Sequence, residues 1–311
     1  MHFTHCTPGR IPSHAVVART LQIYSIKVSQ FKLPVEVYGV VAARDTVDHN
    51  RNILFRRERA NCQILTEKDP FLRLTGPSRA IVSVDPVTFE ILLKVKGRTK
   101  SEDQVMITDI FHYNGIYSGR LCSHVISKPL GKITLKFEQL EKTVQATILG
   151  ICVVEGGWSW PFKHGGRVVC SSSPQEVMKI DNGTIFVTEP PDRQVVLLDY
   201  RGQKMPMGSN GYLDLPRQVV SVELGGSLKF LVQTYSESHE IAKEDSESHE
   251  IAKEDSKSHE IAKEGSVYFT PEKCNLSRGI CDLGDFKVEI TIAWSLLIGC
   301  KDSIFLQGYL P

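Results

Sequence analysis

Short runs in which apolar and polar residues alternate recur along the chain, separated by turn-forming residues. The runs occupy residues 35–41, 80–84, 89–95, 135–140, 143–154, 194–199, 218–224, 227–233 and 287–297. They are rich in Val and Ile, and turn dipeptides such as Asn114-Gly115 and Gly225-Gly226 lie between them. This pattern is typical of half-buried strands. We predict a mainly β fold of two tandem antiparallel β-sandwich-like modules packed together, with a charged surface loop insertion.

One hairpin-like pattern occurs twice. The stretch PSRAIVSVD at 77–85 matches LPRQVVSVE at 215–223, and a turn and a second strand-like run follow each copy. In both copies an arginine, Arg79 or Arg217, precedes the apolar run. This similarity predicts two related modules in tandem.

The chain of 311 residues is divided accordingly. We predict a poorly ordered N-terminal extension at 1–20, a first module at 21–140 and a second module at 141–311. The second module includes a decapeptide-repeat loop at 236–265.

The loop consists of three near-identical decapeptides, SESHEIAKED, SESHEIAKED and SKSHEIAKEG. A ten-residue period fits neither a helical stripe nor a coiled-coil heptad, so we predict a solvated surface extension. Its deletion is expected to leave the melting temperature nearly unchanged. Each of the first two copies carries a net charge of −3 and the third is neutral. The alternative is an acidic tether that folds on a basic partner or screens the rest of the chain.

Overall charge and cysteine use narrow the possible settings. The net charge of +1 gives no reason to expect nucleic-acid binding, and no apolar run is long enough to span a bilayer. Eight scattered cysteines without a secretory signal favour a reducing compartment. We therefore predict a cytoplasmic protein, with organelle targeting as the alternative because the N-terminus is basic.

Motifs for common chemistries are missing from the sequence. It contains no GxxxxGK[ST], GxGxxG, GxSxG or HExxH, and its ten histidines are not spaced as metal ligands. The interpretation is a non-enzymatic protein with no cofactor, no catalytic residues and no metal site.

Two groups of residues are the candidates for binding. Asp45, Asp48 and Asp85 lie in turn-like segments where oxygen ligands would suit Ca²⁺, although a cluster of arginines flanks the first two. That cluster, within RNILFRRER, would also suit phosphate groups, but it has too few aromatic residues for a nucleic-acid site. Trp158 and Trp160 lie in a glycine-rich segment and would stack on a sugar or a partner, although such residues more often plug a sandwich.

Several long blocks resemble a known plant family. VEVYGVVAARDTVDHNRNILF, LTGPSRAIVSVDPVTFE and KVEITIAWSLL are similar to the grass domain family DUF6598, and the resemblance extends from about residue 21 to 297. It implies a plant origin, an unknown function and a possible association with stress or defence. Some relatives carry a ribosome-inactivating N-glycosidase domain, but no segment here resembles its catalytic signature. The resemblance transfers no catalytic residues, and the decapeptides depart from the family pattern.

Two functions follow as hypotheses. The first is a protein-interaction module with an unknown protein partner, which predicts an exposed apolar patch without a deep polar pocket. The alternative is a β-sandwich that binds a glycan, a lipid surface or calcium. That alternative predicts that the acidic residues or the tryptophans converge at one end.

Overall fold

A computed structural model describes most of the chain as antiparallel β-sheet. It covers residues 11, 14–31, 33–115, 119–156, 160–172, 177–181, 184–188, 193–201, 204–208, 210–236 and 260–298. The strands are β1 (Ala15–Val16), β2 (Ala18–Ser29), β3 (Val35–Asp45), β4 (Asp48–Arg57), β5 (Gln63–Leu65), β6 (Ile81–Val82), β7 (Val87–Val95), β8 (Gln104–Tyr113), β9 (Leu121–Lys128), β10 (Gly131–Gly156), β11 (Gly165–Ser172), β12 (Val177–Asp181), β13 (Thr184–Thr188), β14 (Val195–Arg201), β15 (Val219–Glu223), β16 (Leu228–Tyr235), β17 (Ile261–Phe269), β18 (Cys274–Asp282), β19 (Phe286–Ser295) and β20 (Leu297–Ile298). Short 3-10 helices span Arg59–Asn61 and Lys100–Glu102. The predicted mainly β, sandwich-like fold is confirmed, and none of the described helices is long and apolar enough to cross a bilayer.

Side-chain alternation explains the strands. Phe89, Ile91 and Leu93 of β7 are buried in a core, whereas Glu90 and Leu92 between them face the other way. One apolar cluster lies in the N-terminal half and a second in the C-terminal half, the latter built around Trp294 and Phe230. Burial of two such clusters provides the main driving force for folding.

The strand orders of the two halves match. In the first half, β9, the start of β10, β2 and β6 form one sheet, which faces the sheet β4-β3-β7-β8. In the second half, β18, β19, the end of β10 and β15 form one sheet, and β14-β11-β16-β17 form the other. Ala43 pairs with Phe89 as Cys170 pairs with Phe230, so Asp45 and Ser172, two residues further on, hold equivalent positions.

Strand β10 belongs to both halves, and the predicted boundary near residue 140 falls inside it. It continues over 26 residues, pairs with β2 up to Leu140 and again at Thr143, and pairs with β15 from Thr143 and with β19 from Gln145. Both halves therefore contribute to a single seven-stranded sheet. The boundary lies within a strand and does not fall in a linker.

The predicted N-terminal extension is wrong for residues 15–20. Ala15 and Val16 pair with Ile298 and Leu297, and β2 begins at Ala18. This pairing ties the beginning of the described chain to its end. Residues 1–10, 12 and 13 lie outside the described residues.

The predicted surface loop at 236–265 is wrong at its C-terminal end. Ile261 to Gly265, the last five residues of the third decapeptide, open β17 and pair with β16. The Ser236 N–H donates to the Glu260 carbonyl oxygen at 2.9 Å and closes the hairpin. Residues 237–259 lie outside the described residues.

Candidate functional site

Asp45 is a structural residue at the end of β3. Its carboxylate receives a bidentate hydrogen bond from Arg79, with N–O distances of 2.6 and 2.5 Å. The backbone N–H groups of Val47 and Val82 also donate to it, at 3.1 and 2.8 Å. Four donors occupy a side chain that is only 1% exposed, so Arg79 supplies the positive charge that a calcium ion would otherwise bring.

The other two predicted acidic residues do not complete a calcium site with Asp45. Asp48 accepts hydrogen bonds from the backbone and side-chain amides of Asn50, both at 2.9 Å, and Asp85 is exposed in the turn after β6. Among the described residues, no group of three or more His, Cys, Asp or Glu side chains would hold a metal ion. An open hollow of about 340 Å³ lies beside Asp45, Pro86 and Thr88.

Trp160 contributes to the packing of the second half. It is partly buried against the core of the second half, and its ring meets that of Phe162 edge-on at a centroid distance of 5.6 Å. Trp158 lies outside the described residues, so its predicted role stays a prediction.

The outer face of the sheet β4-β3-β7-β8 exposes a patch of aliphatic residues. Leu92 on β7 is 43% exposed, and Val105 and Ile110 on β8 are 46% and 64% exposed. Leu92 pairs with Val40 on one side and with Thr108 on the other, so the exposed residues share one surface. They lie on the side of the sheet that faces away from the core.

Basic side chains surround this aliphatic patch. Arg44 and Arg51 both donate to Glu90, each at 2.5 Å, and more than a third of each arginine side chain stays exposed. Arg56, 63% exposed, is the cross-strand partner of Val40, and Lys94 faces outward from β7. We call this surface the basic face; it consists of Arg44, Arg51, Arg56, Glu90, Leu92, Lys94, Val105 and Ile110. Glu58, 71% exposed, lies 3.5 Å from Arg56, so four basic groups stand against two carboxylates and the surface keeps a net positive charge.

Hydrogen bonds from both arginines lower the pKa of Glu90, and the contact with Arg44 is the strongest cause. The carboxylate therefore stays ionised and holds the two guanidinium groups side by side. Because charge-assisted hydrogen bonds fix the arginines, less side-chain entropy is lost when a partner binds.

Hydrogen bonds to Asp103 stabilise one end of the basic face. Asp103 accepts hydrogen bonds from Tyr38 at 2.6 Å, from Arg59 at 2.8 Å and from the Gly97 N–H at 2.8 Å. These contacts join β3 to the connections after β4 and β7. Chiefly because Arg59 donates to it, the pKa of Asp103 is lowered.

Sequence reasoning found the arginine cluster but not its aliphatic neighbours. The RNILFRRER segment supplies Arg51 and Arg56, whereas Leu92 and Ile110 come from strands far along the chain. Leu92 alternates with buried residues like any outward-facing strand position. Only the pairing of β7 with β3 and β8 puts these residues beside the arginines.

Comparisons with known proteins identify a family but no characterised relative. The family profile described as "Domain of unknown function (DUF6598)" matches residues 20–292. No curated protein matches the chain. Human GIVD cytosolic phospholipase A2 in complex with methyl gamma-linolenyl fluorophosphonate is 8% identical over 91% of this chain and 33% of that chain, with a TM-score of 0.25. The two tandem C2 domains of Extended-Synaptotagmin 2 are 10% identical over 95% and 96% of the two chains, with a TM-score of 0.26.

The chain thus spans about a third of the length of the phospholipase chain. Both TM-scores are too low to support an argument about function.

Proposed function

Because the chain belongs to the DUF6598 family, whose function is unknown, we propose from its own surface that it is a non-catalytic protein-interaction module. The observation that carries the proposal is the basic face, an aliphatic patch bordered by arginines. Its partner is a protein surface with acidic groups around apolar side chains. The proposal includes a cytoplasmic site of action in a plant cell, with the link to stress or defence that the family resemblance implies.

The chemistry of the border favours a protein over a lipid surface. Arginine is enriched in protein interfaces and lysine is depleted, and three of the four basic groups here are arginines. A guanidinium also binds a carboxylate with two parallel hydrogen bonds, which favours an acidic side chain as the contact. The scattered cysteines of the sequence, which include no CxxC pair, support the cytoplasmic part of the proposal.

The experiment compares two substitutions of exposed isoleucines. Ile110→Glu puts a negative charge into the basic face, whereas Ile280→Glu does so on β18, at a site that is 46% exposed. Immobilised wild type captures proteins from a plant extract, and each captured protein is then purified and titrated against all three chains. We expect Ile110→Glu to weaken binding at least about tenfold and Ile280→Glu to leave it unchanged.

Equal loss with both variants, or no loss with Ile110→Glu, would refute the proposal. Binding of the chain to phosphatidylserine vesicles that Ile110→Glu abolishes, without any direct protein partner, would replace it with the lipid alternative.

A further inference from the structure

The chain itself contains a peptide with the chemistry that the basic face would bind. The first two decapeptides, residues 236–245 and 246–255, each combine four acidic side chains with one isoleucine and one lysine. Together they carry a charge of −6, while the rest of the chain carries +7. An acidic peptide with a few apolar side chains complements an aliphatic patch bordered by arginines.

The decapeptide copy that leads into β17 differs in net charge from the two copies before it. The third decapeptide, which enters β17, has no net charge, because Lys257 replaces a glutamate and Gly265 replaces an aspartate. The two copies that precede it are both acidic. A mere spacer would need no such difference.

The fold holds this segment at both ends. Ser236 follows β16, Glu260 precedes β17, and a backbone hydrogen bond joins the two residues. The residues between them lie outside the described part of the chain. The connection of about 23 residues between them would reach roughly 35–40 Å from its anchors when extended. A folded chain of 311 residues has a radius of gyration of about 20 Å, so the extended reach of the segment exceeds the radius of the molecule.

We propose that the acidic copies at 236–245 and 246–255 are an internal ligand of the basic face and compete there with the protein partner. The acidic side chains bind Arg44, Arg51 and Arg56, and the isoleucines contact the aliphatic patch. The inference rests on the proposed function for the identity of the competitor, but the contact itself is independent of it.

Tethering determines the size of the effect. A short tether gives an effective concentration of about 1 mM, so a segment that binds with a dissociation constant of about 0.1 mM occupies the face most of the time. Any added ligand of the basic face then binds about tenfold more weakly to the wild type than to a chain whose copies are neutralised.

The experiment uses the full chain and a labelled synthetic peptide of residues 236–255. In the receptor, glutamine and asparagine replace the acidic side chains of both copies. The replaced residues are Glu237, Glu240, Glu244, Asp245, Glu247, Glu250, Glu254 and Asp255. The control peptide is two copies of SKSHEIAKEG, which shares the HEIAKE core but is neutral.

Fluorescence anisotropy at low salt is expected to show three results. On the neutralised receptor, the acidic peptide binds at least about tenfold more tightly than the control peptide. The acidic peptide also binds the neutralised receptor about tenfold more tightly than it binds the wild type. Arg51→Glu together with Arg56→Glu removes this binding. Ile280→Glu does not.

Equal affinity of the two peptides, or binding that survives the double arginine reversal, would overturn the inference. Equal affinity of wild type and neutralised receptor would overturn it as well. If the peptide fails to bind while a protein partner still depends on Ile110, only this inference falls. If the peptide binds but no protein partner is captured, the proposed function falls and the internal contact stands.

Discussion

Two deletions of equal length should have opposite effects on stability. Removing residues 236–255 joins Tyr235 directly to the third decapeptide. Ser256 then takes the place of Ser236, and the hairpin between β16 and β17 closes through three residues. The paired strand from Ile261 onward is unchanged.

The gain from this deletion comes from loop closure. Shortening the connection from 23 residues to three lowers the entropic cost of loop closure by (3/2)RT ln(23/3), about 1.8 kcal/mol. Loss of the proposed contact between the acidic copies and the basic face offsets RT ln 11, about 1.4 kcal/mol, of this gain at low salt. An unfolding entropy of about 2.1 cal/mol/K per residue therefore gives an increase in melting temperature of under about 1 °C at low salt, and of about 3 °C where salt screens the contact.

Removing residues 246–265 leaves the same three-residue connection but puts Asp245 at the position of Gly265. A Cβ there would lie 2.2 Å from the Asp282 carbonyl oxygen and 2.9 Å from the Cys281 sulfur. Overpacking of this kind costs about 1–3 kcal/mol, so this variant should melt about 2–5 °C below the first one.

Calorimetry on both variants and the wild type provides the measurement. Because the deletions also differ by a lysine and a glutamate in the turn, Gly265→Asp in the full chain isolates the glycine. Equal melting temperatures for the two deletions would refute the packing argument. At high salt, where the contact with the basic face is screened, a lower melting temperature for the 236–255 deletion than for the wild type would refute the closure of the hairpin through three residues.

Three further outcomes follow from the contacts. Arg79→Met should lower the free energy of unfolding by about 3–5 kcal/mol because it leaves Asp45 buried and unpaired, whereas Arg217→Met should change it by less than about 1 kcal/mol or raise it; denaturant titration compares them. Asp103→Asn should flatten the loss of stability on acidification. The lowered pKa of Asp103 stabilises the fold above about pH 4, and that contribution is lost as the pH falls further; unfolding curves from pH 5 to 2 test this. Chains cut after Leu140 should give insoluble halves, since the cut divides β10; soluble, cooperatively folding halves would contradict the shared sheet.

The sequence predicted strands on either side of residue 140 but not that a single strand continues through that boundary. The runs at 135–140 and 143–154 look like two strands separated by Glu141 and Lys142. In the structure the backbone continues through both residues, with Lys142 at a φ of 46° and its carbonyl oxygen bound by the Leu224 N–H. A strand that changes its pairing partners needs no turn-forming residue, so the sequence carries no signal for the change.

The end of the decapeptide segment shows the same limit. The pentapeptides IAKED and IAKEG have nearly the same composition, and the structure describes the last one, which enters the sheet as the start of β17. The difference is Gly265, which allows the close approach to Asp282, and the strand residues Val267 and Phe269 that follow. Such a requirement exists only once the neighbouring strand is in place.

The two halves use equivalent positions differently. In the first half, Arg79 closes the end of its own sandwich by pairing with Asp45. In the second half, Ser172 stands where the aspartate would be, and the buried Arg217 donates instead to the Ile23 carbonyl oxygen of the first half at 2.5 Å.

Burial lowers the pKa of Arg217 to about 10, so its charge destabilises the native state below that pH and the penalty is relieved as the pH rises towards 12.5. No carboxylate among the described residues offsets this cost, and the Arg217 Nε has no hydrogen-bond partner there. The Gln22 amide also donates to the Ile23 carbonyl oxygen, at 3.0 Å, so that oxygen does not depend on the arginine. We infer that Arg217 helps to set the position of one half relative to the other. Strand β10, which runs through both halves, fixes the same arrangement.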